Sequence, residues 1–163
     1  MATLSFVLLY FFCGDRIFTI LQGATCAGPK SVTMPQKVTV FLVDDDIDDQ
    51  EIFSIMLEDA LPEAECVFAK DGIQALEKLQ QPAFAPDVIF IDINMPKMNG
   101  MEFLAEMRKR PSLLHIPAFM YSTSDEKAIV EQCKSLGASG LIKKHANTDE
   151  VKKEIKKIVS TLI

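Results

Sequence analysis

The chain has 163 residues, with 17 Lys or Arg against 23 Asp or Glu, and its formal net charge is −6. This length suits one domain with a complete core, and 48% hydrophobic with 25% charged residues excludes extensive disorder and a coiled-coil rod. An acidic chain is also a poor non-specific ligand for nucleic acid, because it repels phosphate, so we expect no nucleic-acid partner. The cysteines are scattered without metal-ligand spacing, which is typical of reduced thiols in a cytoplasmic protein: Cys13, Cys26, Cys66 and Cys133.

The first 36 residues differ in composition from the rest of the chain. Residues 4–13 are apolar and uncharged, but this segment is too short to cross a bilayer, which needs about 20 residues, and it lacks the basic flank of a secretory signal. We therefore predict that residues 1–36 are an N-terminal extension outside the domain that follows. Two interpretations stay open: translation starts at Met34 and residues 1–33 are spurious, or the segment associates with a membrane.

From Lys37 onward, short apolar strands alternate with helical stretches. Strands are predicted over residues 38–43, 66–69, 88–91, 118–121 and 140–142. After each strand, apolar residues recur at helical spacing, in stretches that begin near Ile47, Ile73, Met101, Ala128 and Val151. Uniformly apolar strands separated by helices indicate a buried parallel sheet, so the pattern predicts a doubly wound α/β fold with five parallel strands over residues 37–163.

Polar residues follow the predicted strands at the edge where folds of this class bind ligands. They are Asp44, Asp45 and Asp46 after the first strand, Asp92 after the third, Ser122 after the fourth, and Lys143 and Lys144 after the fifth. Clustered carboxylates repel one another unless a cation neutralises them, and Mg²⁺ prefers a few carboxylates together with water and phosphate oxygens. A hydroxyl and an ammonium suit phosphoryl oxygens. The combination predicts a phosphoryl-transfer site with an aspartate as acceptor, although each residue alone also fits helix capping or a solvated surface.

Four segments resemble the receiver domains of two-component response regulators: residues 43–46, 91–100, 121–123 and 137–144. In the second segment Asp92 is followed by Met95, Pro96 and then Gly100, a strong motif in that position. The resemblance covers about residues 37–163 and implies a flavodoxin-like fold. It also implies that Asp92 accepts a phosphoryl group from the phosphohistidine of a sensor histidine kinase or a histidine phosphotransfer protein.

The same resemblance implies roles for the residues around Asp92. Asp44 and Asp45 would bind Mg²⁺ together with Asp92, and Asn94 would lend its backbone carbonyl to the metal. Ser122 matches the switch hydroxyl that moves toward the phosphoryl group. Lys144 matches the lysine that pairs first with Asp92 and then with the phosphoryl group, and Asn94 and Ser124 occupy positions that tune the lifetime of the phosphoryl group.

The chain departs from the family pattern at two positions. Leu141 stands where the family usually has an aromatic residue, so an aromatic rotamer switch cannot operate as usual. His145 replaces the proline that usually forms a cis peptide after the lysine, and a cis bond before a residue other than proline costs about 3–4 kcal/mol. We therefore expect a trans peptide or a rearranged loop at His145.

The last predicted helix reaches Leu162, so we expect no output domain after it and signalling by protein–protein contact, as a monomer or weak dimer, to an unknown downstream protein. The chain would not be an enzyme beyond its own phosphorylation and dephosphorylation. The lysines of the last helix are either a solvated face paired with Glu150 and Glu154 or a docking surface for an acidic partner. Two alternatives stay open: a pseudo-receiver that binds partners without phosphorylation, and a Mg²⁺-dependent phosphohydrolase, for which Asn94 stands where a general acid is needed.

Overall fold

The computed structural model describes residues 37–144 and 147–162, and the predictions for residues 1–36 and for His145 lie outside this range. The strands are β1 Thr39–Val43, β2 Glu65–Ala69, β3 Val88–Asp92, β4 Ala118–Ser122 and β5 Gly140–Lys143. The helices are α1 Ile47–Ala60, α2 Gly72–Lys78, α3 Gly100–Arg108, α4 Lys127–Ser135 and α5 Thr148–Ser160, with a short 3-10 helix at Pro111–Leu113. Within the described residues, no helix has the length and apolarity to cross a membrane.

The five strands form one parallel sheet in the order β2-β1-β3-β4-β5, which confirms the predicted fold class. The chain moves from β1 to β2 on one side and then to β3 on the other side of β1, so the direction of strand order reverses between β1 and β3. Val43 of β1 is paired with Ile91 of β3, and therefore Asp44 and Asp92 leave the sheet side by side. Ligands of doubly wound sheets bind at this kind of reversal, beyond the carboxyl ends of the strands.

The two faces of the sheet carry separate hydrophobic clusters because side chains alternate along each strand. Helices α2, α3 and α4 cover one face, where Phe41 and Ile91 pack with Phe103 of α3. Helices α1 and α5 cover the other face, where Phe90 and Tyr121 pack around Phe53 of α1. With both faces covered, the three central strands are largely apolar up to their last residue, as expected for a buried parallel sheet.

Several apolar residues expected in helical stripes are exposed instead. Ile47 and Ile55 on α1 are 68% and 66% exposed, while Phe53, Met56 and Leu57 form the buried side of that helix. Helix α5 ends at Ser160, so Leu162 lies beyond it and is exposed. Apolar residues on several sides of α1 fit the helical period almost as well as those that face the sheet, and the pattern alone did not separate them.

The ion pairs of α5 also differ from expectation. Lys152 contacts Asp59 of α1 at 2.9 Å and Asp149 at 2.8 Å, rather than the predicted Glu150 or Glu154. The contact with Asp59 joins two helices that are distant in sequence, and spacing along α5 could not predict it.

Candidate functional site

The centre of the site is the ammonium group of Lys144, which contacts three carboxylates. Lys144 Nζ lies 2.7 Å from Asp44 Oδ2, 2.7 Å from Asp49 Oδ2 and 2.8 Å from Asp92 Oδ1. An ammonium group has three N–H donors, so each carboxylate takes one. Burial opposes the charged form of Lys144, but the hydrogen bonds from the three aspartates outweigh it, and the pKa of Lys144 lies above its ordinary value. The ammonium is therefore charged throughout the physiological pH range.

Asp44 is held rigidly at the end of β1. Its backbone N–H donates to the carbonyl of Ala69 at 2.9 Å, and its own carbonyl accepts from Gln50 Nε2 at 2.6 Å. Asp44 Oδ1 accepts from the backbone N–H of Asp46 at 3.0 Å. Burial raises the pKa of Asp44, and the hydrogen bond from Lys144 offsets part of this shift. The carboxylate is 1% exposed and thus gains from a further cation.

Asp92 is the last residue of β3, and its side chain points into the same cluster. Asp92 Oδ2 accepts from the backbone N–H of Asn94 at 2.6 Å, while Oδ1 faces Lys144. The backbone of Asp92 is pressed against Gly100 at the start of α3, where an added Cβ would lie 2.0 Å from the Asp92 carbonyl oxygen. This close approach explains why a residue without a side chain follows Asn99, which caps α3 together with Glu102.

Ser122 ends β4 and is joined to Lys144 through the backbone. The N–H of Lys144 donates to the carbonyl of Ser122 at 2.7 Å, and Ser122 Oγ accepts from the N–H of Ser124 at 3.2 Å. The Lys144 ammonium also lies 5.0 Å from the centre of the Tyr121 ring, within the range of a cation–π contact. Burial raises the pKa of the Tyr121 hydroxyl to about 12, so Tyr121 stays neutral beside the carboxylates.

A third buried aspartate, Asp71, contacts the loop that follows Asp92. Asp71 Oδ1 caps α2 by accepting from the N–H of Gln74 at 2.8 Å, and Asp71 Oδ2 binds Lys97 Nζ at 2.7 Å. Lys97 has a φ of 64°, a conformation uncommon outside glycine. The N–H of Gln74 and then Lys97 lower the pKa of Asp71 below its ordinary value. The ion pair therefore ties the loop after β3 to the start of α2.

The structure brings together four of the predicted site residues, Asp44, Asp92, Ser122 and Lys144. Asp45 and Asn94 border this cluster with exposed side chains. Lys143 points elsewhere and contacts Asp125 at 2.9 Å.

Sequence analysis missed Asp49, which reaches Lys144 from the first turn of α1. Its signal was an acid five residues after Asp44 in the same acidic run, but acids in a first helical turn are ordinary partners of the helix dipole.

A divalent cation fits the charge of this cluster. Three carboxylates surround one ammonium group, which leaves an excess of two negative charges at a largely buried site. Within residues 37–144 and 147–162 no three His, Cys, Asp or Glu side chains form a ready-made metal cage. Mg²⁺ does not need one, because it keeps several waters and uses only one or two carboxylates with substrate phosphate.

Comparison with known proteins identifies the family to which this arrangement belongs. Residues 40–156 match the response regulator receiver domain. The chain belongs to this family. Receiver domains are the parts of two-component response regulators that are phosphorylated on aspartate, and they interact with histidine kinases or phosphotransfer proteins and bind a divalent metal.

Individual relatives agree with this assignment. The receiver domain is similar to response regulator Rcp1 of Synechocystis, with 30% identity over 131 residues that cover 77% of this chain and 88% of Rcp1. The crystal structure of phosphorylated RcpA, a cyanobacterial phytochrome response regulator, matches with a TM-score of 0.67 and 32% identity over 74% of this chain and 90% of RcpA. The Mn²⁺-bound form of Rcp1 matches with a TM-score of 0.66 and 28% identity, covering 76% of this chain and 92% of that one.

Proposed function

We propose that Asp92 is the phosphoacceptor of this receiver domain. The observation that carries the proposal is the position of Lys144 Nζ, which lies 2.8 Å from Asp92 Oδ1 and 2.7 Å from Asp44 Oδ2 at the switch point of the sheet. Asp92 is 7% exposed, and both of its carboxylate oxygens are held, Oδ1 by Lys144 and Oδ2 by the N–H of Asn94. A phosphoryl donor would approach this end of the sheet, where the exposed side chains of Asp45 and Asn94 border the carboxylate.

In the proposed reaction an Asp92 carboxylate oxygen attacks the phosphorus of a phosphohistidine. A P–O bond forms, the P–N bond breaks, and the imidazole nitrogen leaves with the electron pair. Lys144 stays charged and binds a phosphoryl oxygen, and the Ser122 hydroxyl donates to another. Both groups stabilise the negative charge of the phosphoryl group, which is the main demand of phosphoryl transfer.

The metal in this proposal is Mg²⁺, held by Asp44, Asp45 and Asp92 with the backbone carbonyl of Asn94. Support comes from the buried, negatively charged carboxylates and from the Mn²⁺-bound form of the similar protein Rcp1. When bound, Mg²⁺ neutralises charge on the acids and the phosphoryl oxygens. The receiver domain would catalyse only its own phosphorylation and dephosphorylation, because Asn94 cannot serve as the general acid of a phosphohydrolase.

In this proposal, phosphorylation of Asp92 changes the β4–α4 loop. Movement of Ser122 toward the phosphoryl group would reposition the loop that holds Ser124 and, with it, the face formed by α4, β5 and α5. Leu141 packs against the core on the α4 side of β5 and supplies no aromatic ring for a rotamer switch. The signal is therefore read from loop and helix positions.

The phosphoryl donor in this proposal is a histidine kinase or a histidine phosphotransfer protein in the cytoplasm. Ile47 is 68% exposed and lies at the start of α1, next to the acids of the site. Large exposed apolar side chains at the rim of a reactive site favour contact with another protein. A donor that delivers its phosphohistidine to Asp92 would cover this rim.

The direct test is labelling with acetyl phosphate and Mg²⁺, followed by mass spectrometry of the peptide that contains Asp92. The wild-type chain should gain one phosphoryl group, and Asp92→Asn should gain none because an amide cannot form the acyl phosphate. Asp87→Asn is the matched control, since Asp87 lies just before β3, far from the site, where it accepts from the N–H of Thr39 at 2.8 Å. Full labelling of Asp92→Asn would exclude Asp92 as the acceptor.

A further inference from the structure

Asp49 has no role in the proposed phosphoryl transfer, yet it contacts the central ammonium group. Its Oδ2 lies 2.7 Å from Lys144 Nζ, the same distance as Asp44 Oδ2. The side chain of Asp49 is 37% exposed, whereas that of Lys144 is 11% exposed. Asp49 thus reaches from the first turn of α1 to the buried ammonium of Lys144, which directly follows β5.

All three N–H donors of Lys144 are occupied. One is bound to Asp44, one to Asp49 and one to Asp92. A phosphoryl group on Asp92 adds strong acceptor oxygens beside the same ammonium. One phosphoryl oxygen can take the N–H now bound to Asp92, but a second can bind Lys144 only by replacing Asp44 or Asp49. Asp44 is fixed by its backbone and side-chain contacts at the end of β1, so the Asp49 contact is the one that can be exchanged.

We propose that Asp49 is a positioning residue that competes with the phosphoryl group for the Lys144 ammonium and thereby lowers the affinity of the site for a phosphoryl dianion. The inference rests on the proposed role of Asp92 as phosphoacceptor. It extends that role by naming a residue of α1 that limits how strongly the lysine holds the phosphoryl group.

The charge of Asp49 acts in the same direction as the competition. Asp49 Oδ2 and Asp92 Oδ1 both lie within 2.8 Å of Lys144 Nζ, so they are no more than about 5.5 Å apart. A negative charge at this distance repels a dianion on Asp92. Removing the charge while keeping the shape should therefore tighten binding of a phosphoryl mimic about three- to tenfold, from Coulomb's law at solvent-like screening.

The test measures the dissociation constant of beryllofluoride, a phosphoryl mimic, by calorimetry of the full chain with saturating Mg²⁺. Asp49→Asn should bind beryllofluoride about three- to tenfold more tightly than the wild type. Asp48→Asn is the matched control, because it removes the same charge from the same helical turn, and the N–H of the exposed Asp48 is bound to Asp46. Asp48→Asn should change the constant less than about twofold, since the charge of an exposed side chain is screened.

Asp49→Glu supplies the conservative rescue. A carboxylate one methylene longer still reaches the ammonium, so its dissociation constant should return toward the wild-type value. A merely structural role of Asp49 would instead lower the thermal stability of both variants without tightening ligand binding. An unchanged or weaker affinity in Asp49→Asn, or an equal gain in Asp48→Asn, would overturn the inference.

Failure of the underlying proposal gives a different result. If the wild-type chain binds no beryllofluoride, or if Asp92→Ala binds it as well as the wild type does, Asp92 is not the acceptor and the role of Asp49 falls with it. Wild-type binding that depends on Asp92 but not on Asp49 rejects the role of Asp49 alone.

Discussion

Replacing Lys144 with Met tests whether this single cation stabilises the buried carboxylates. The substitution keeps an apolar stem and removes the charge that contacts Asp44, Asp49 and Asp92. Removing one partner of a buried ion pair leaves the other charges without compensation, and this is strongly destabilising. We expect Lys144→Met to lower the free energy of unfolding in the absence of divalent metal.

The magnitude follows from the geometry. Asp44 Oδ2 and Asp92 Oδ1 share Lys144 Nζ at 2.7 and 2.8 Å, so they are at most about 5.5 Å apart. At an effective dielectric constant of about 20, two negative charges at that distance repel by about 3 kcal/mol. Lys144 compensates this repulsion in the wild type, and in Lys144→Met without metal nothing compensates it. For a domain of this size, such a loss lowers the melting temperature by about 10 °C.

The assay is thermal unfolding at pH 7 in EDTA, repeated with Mg²⁺. Lys143→Met is the matched control, because Lys143 pairs with an exposed Asp125 and such surface pairs contribute at most about 1 kcal/mol. Added Mg²⁺ should raise the melting temperature of Lys144→Met more than that of the wild type, since the metal replaces the missing positive charge. The reasoning fails if Lys144→Met melts within about 2 °C of Lys143→Met in EDTA.

Two further substitutions test the supports of the site. Gly100→Ala should cost about 3 kcal/mol and reduce acetyl-phosphate labelling, because its Cβ would meet the Asp92 carbonyl at 2.0 Å. Gly140→Ala, whose Cβ meets only the movable Phe119 ring at 3.1 Å, should cost less in the same urea titration, and equal losses would contradict the argument. Asp71→Asn should cost about 1 kcal/mol at pH 6, since it keeps the cap on α2 but loses the charged contact with Lys97. Because the pKa of Asp71 is lowered in the folded chain, the stabilisation from ionised Asp71 is complete above its ordinary pKa of about 3.9. It is lost as the pH falls below that value. Wild type and Asp71→Asn should therefore differ less in urea stability at pH 3 than at pH 6, and an unchanged difference would refute the ion pair as its source.

The sheet was predictable from sequence because its strands are buried on both faces. The three central strands are short, largely apolar runs that end at or just before a polar residue, as in Val88–Asp92, and this pattern is typical of a covered parallel sheet. The convergence of Asp44, Asp92, Ser122 and Lys144 at one edge followed from the same logic, since each residue ends or follows a strand. The fold class follows from the apolar strands, and the position of the site follows from the polar residues at their ends.

The contacts of α1 were not predictable in the same way. Ile47 and Ile55 fit a helical stripe but are exposed, and Asp49 looks like an ordinary first-turn acid but binds Lys144. Which side of a helix faces a neighbour depends on how the helix is placed over the sheet, and apolar residues on several sides of α1 leave that choice open. The partner of Lys144 in α1 lies 95 residues away in sequence and appears only once the two ends of the chain are packed together.

The hydrogen bond from the N–H of Lys144 to the carbonyl of Ser122 joins the end of β4 to the residue that follows β5. Movement of Ser122 at the end of β4 would therefore shift the backbone of Lys144, and loss of the Asp49 contact would release the lysine side chain from α1. Because α1 and α4 cover opposite faces of the sheet, we expect phosphorylation of Asp92 to alter surfaces on both faces.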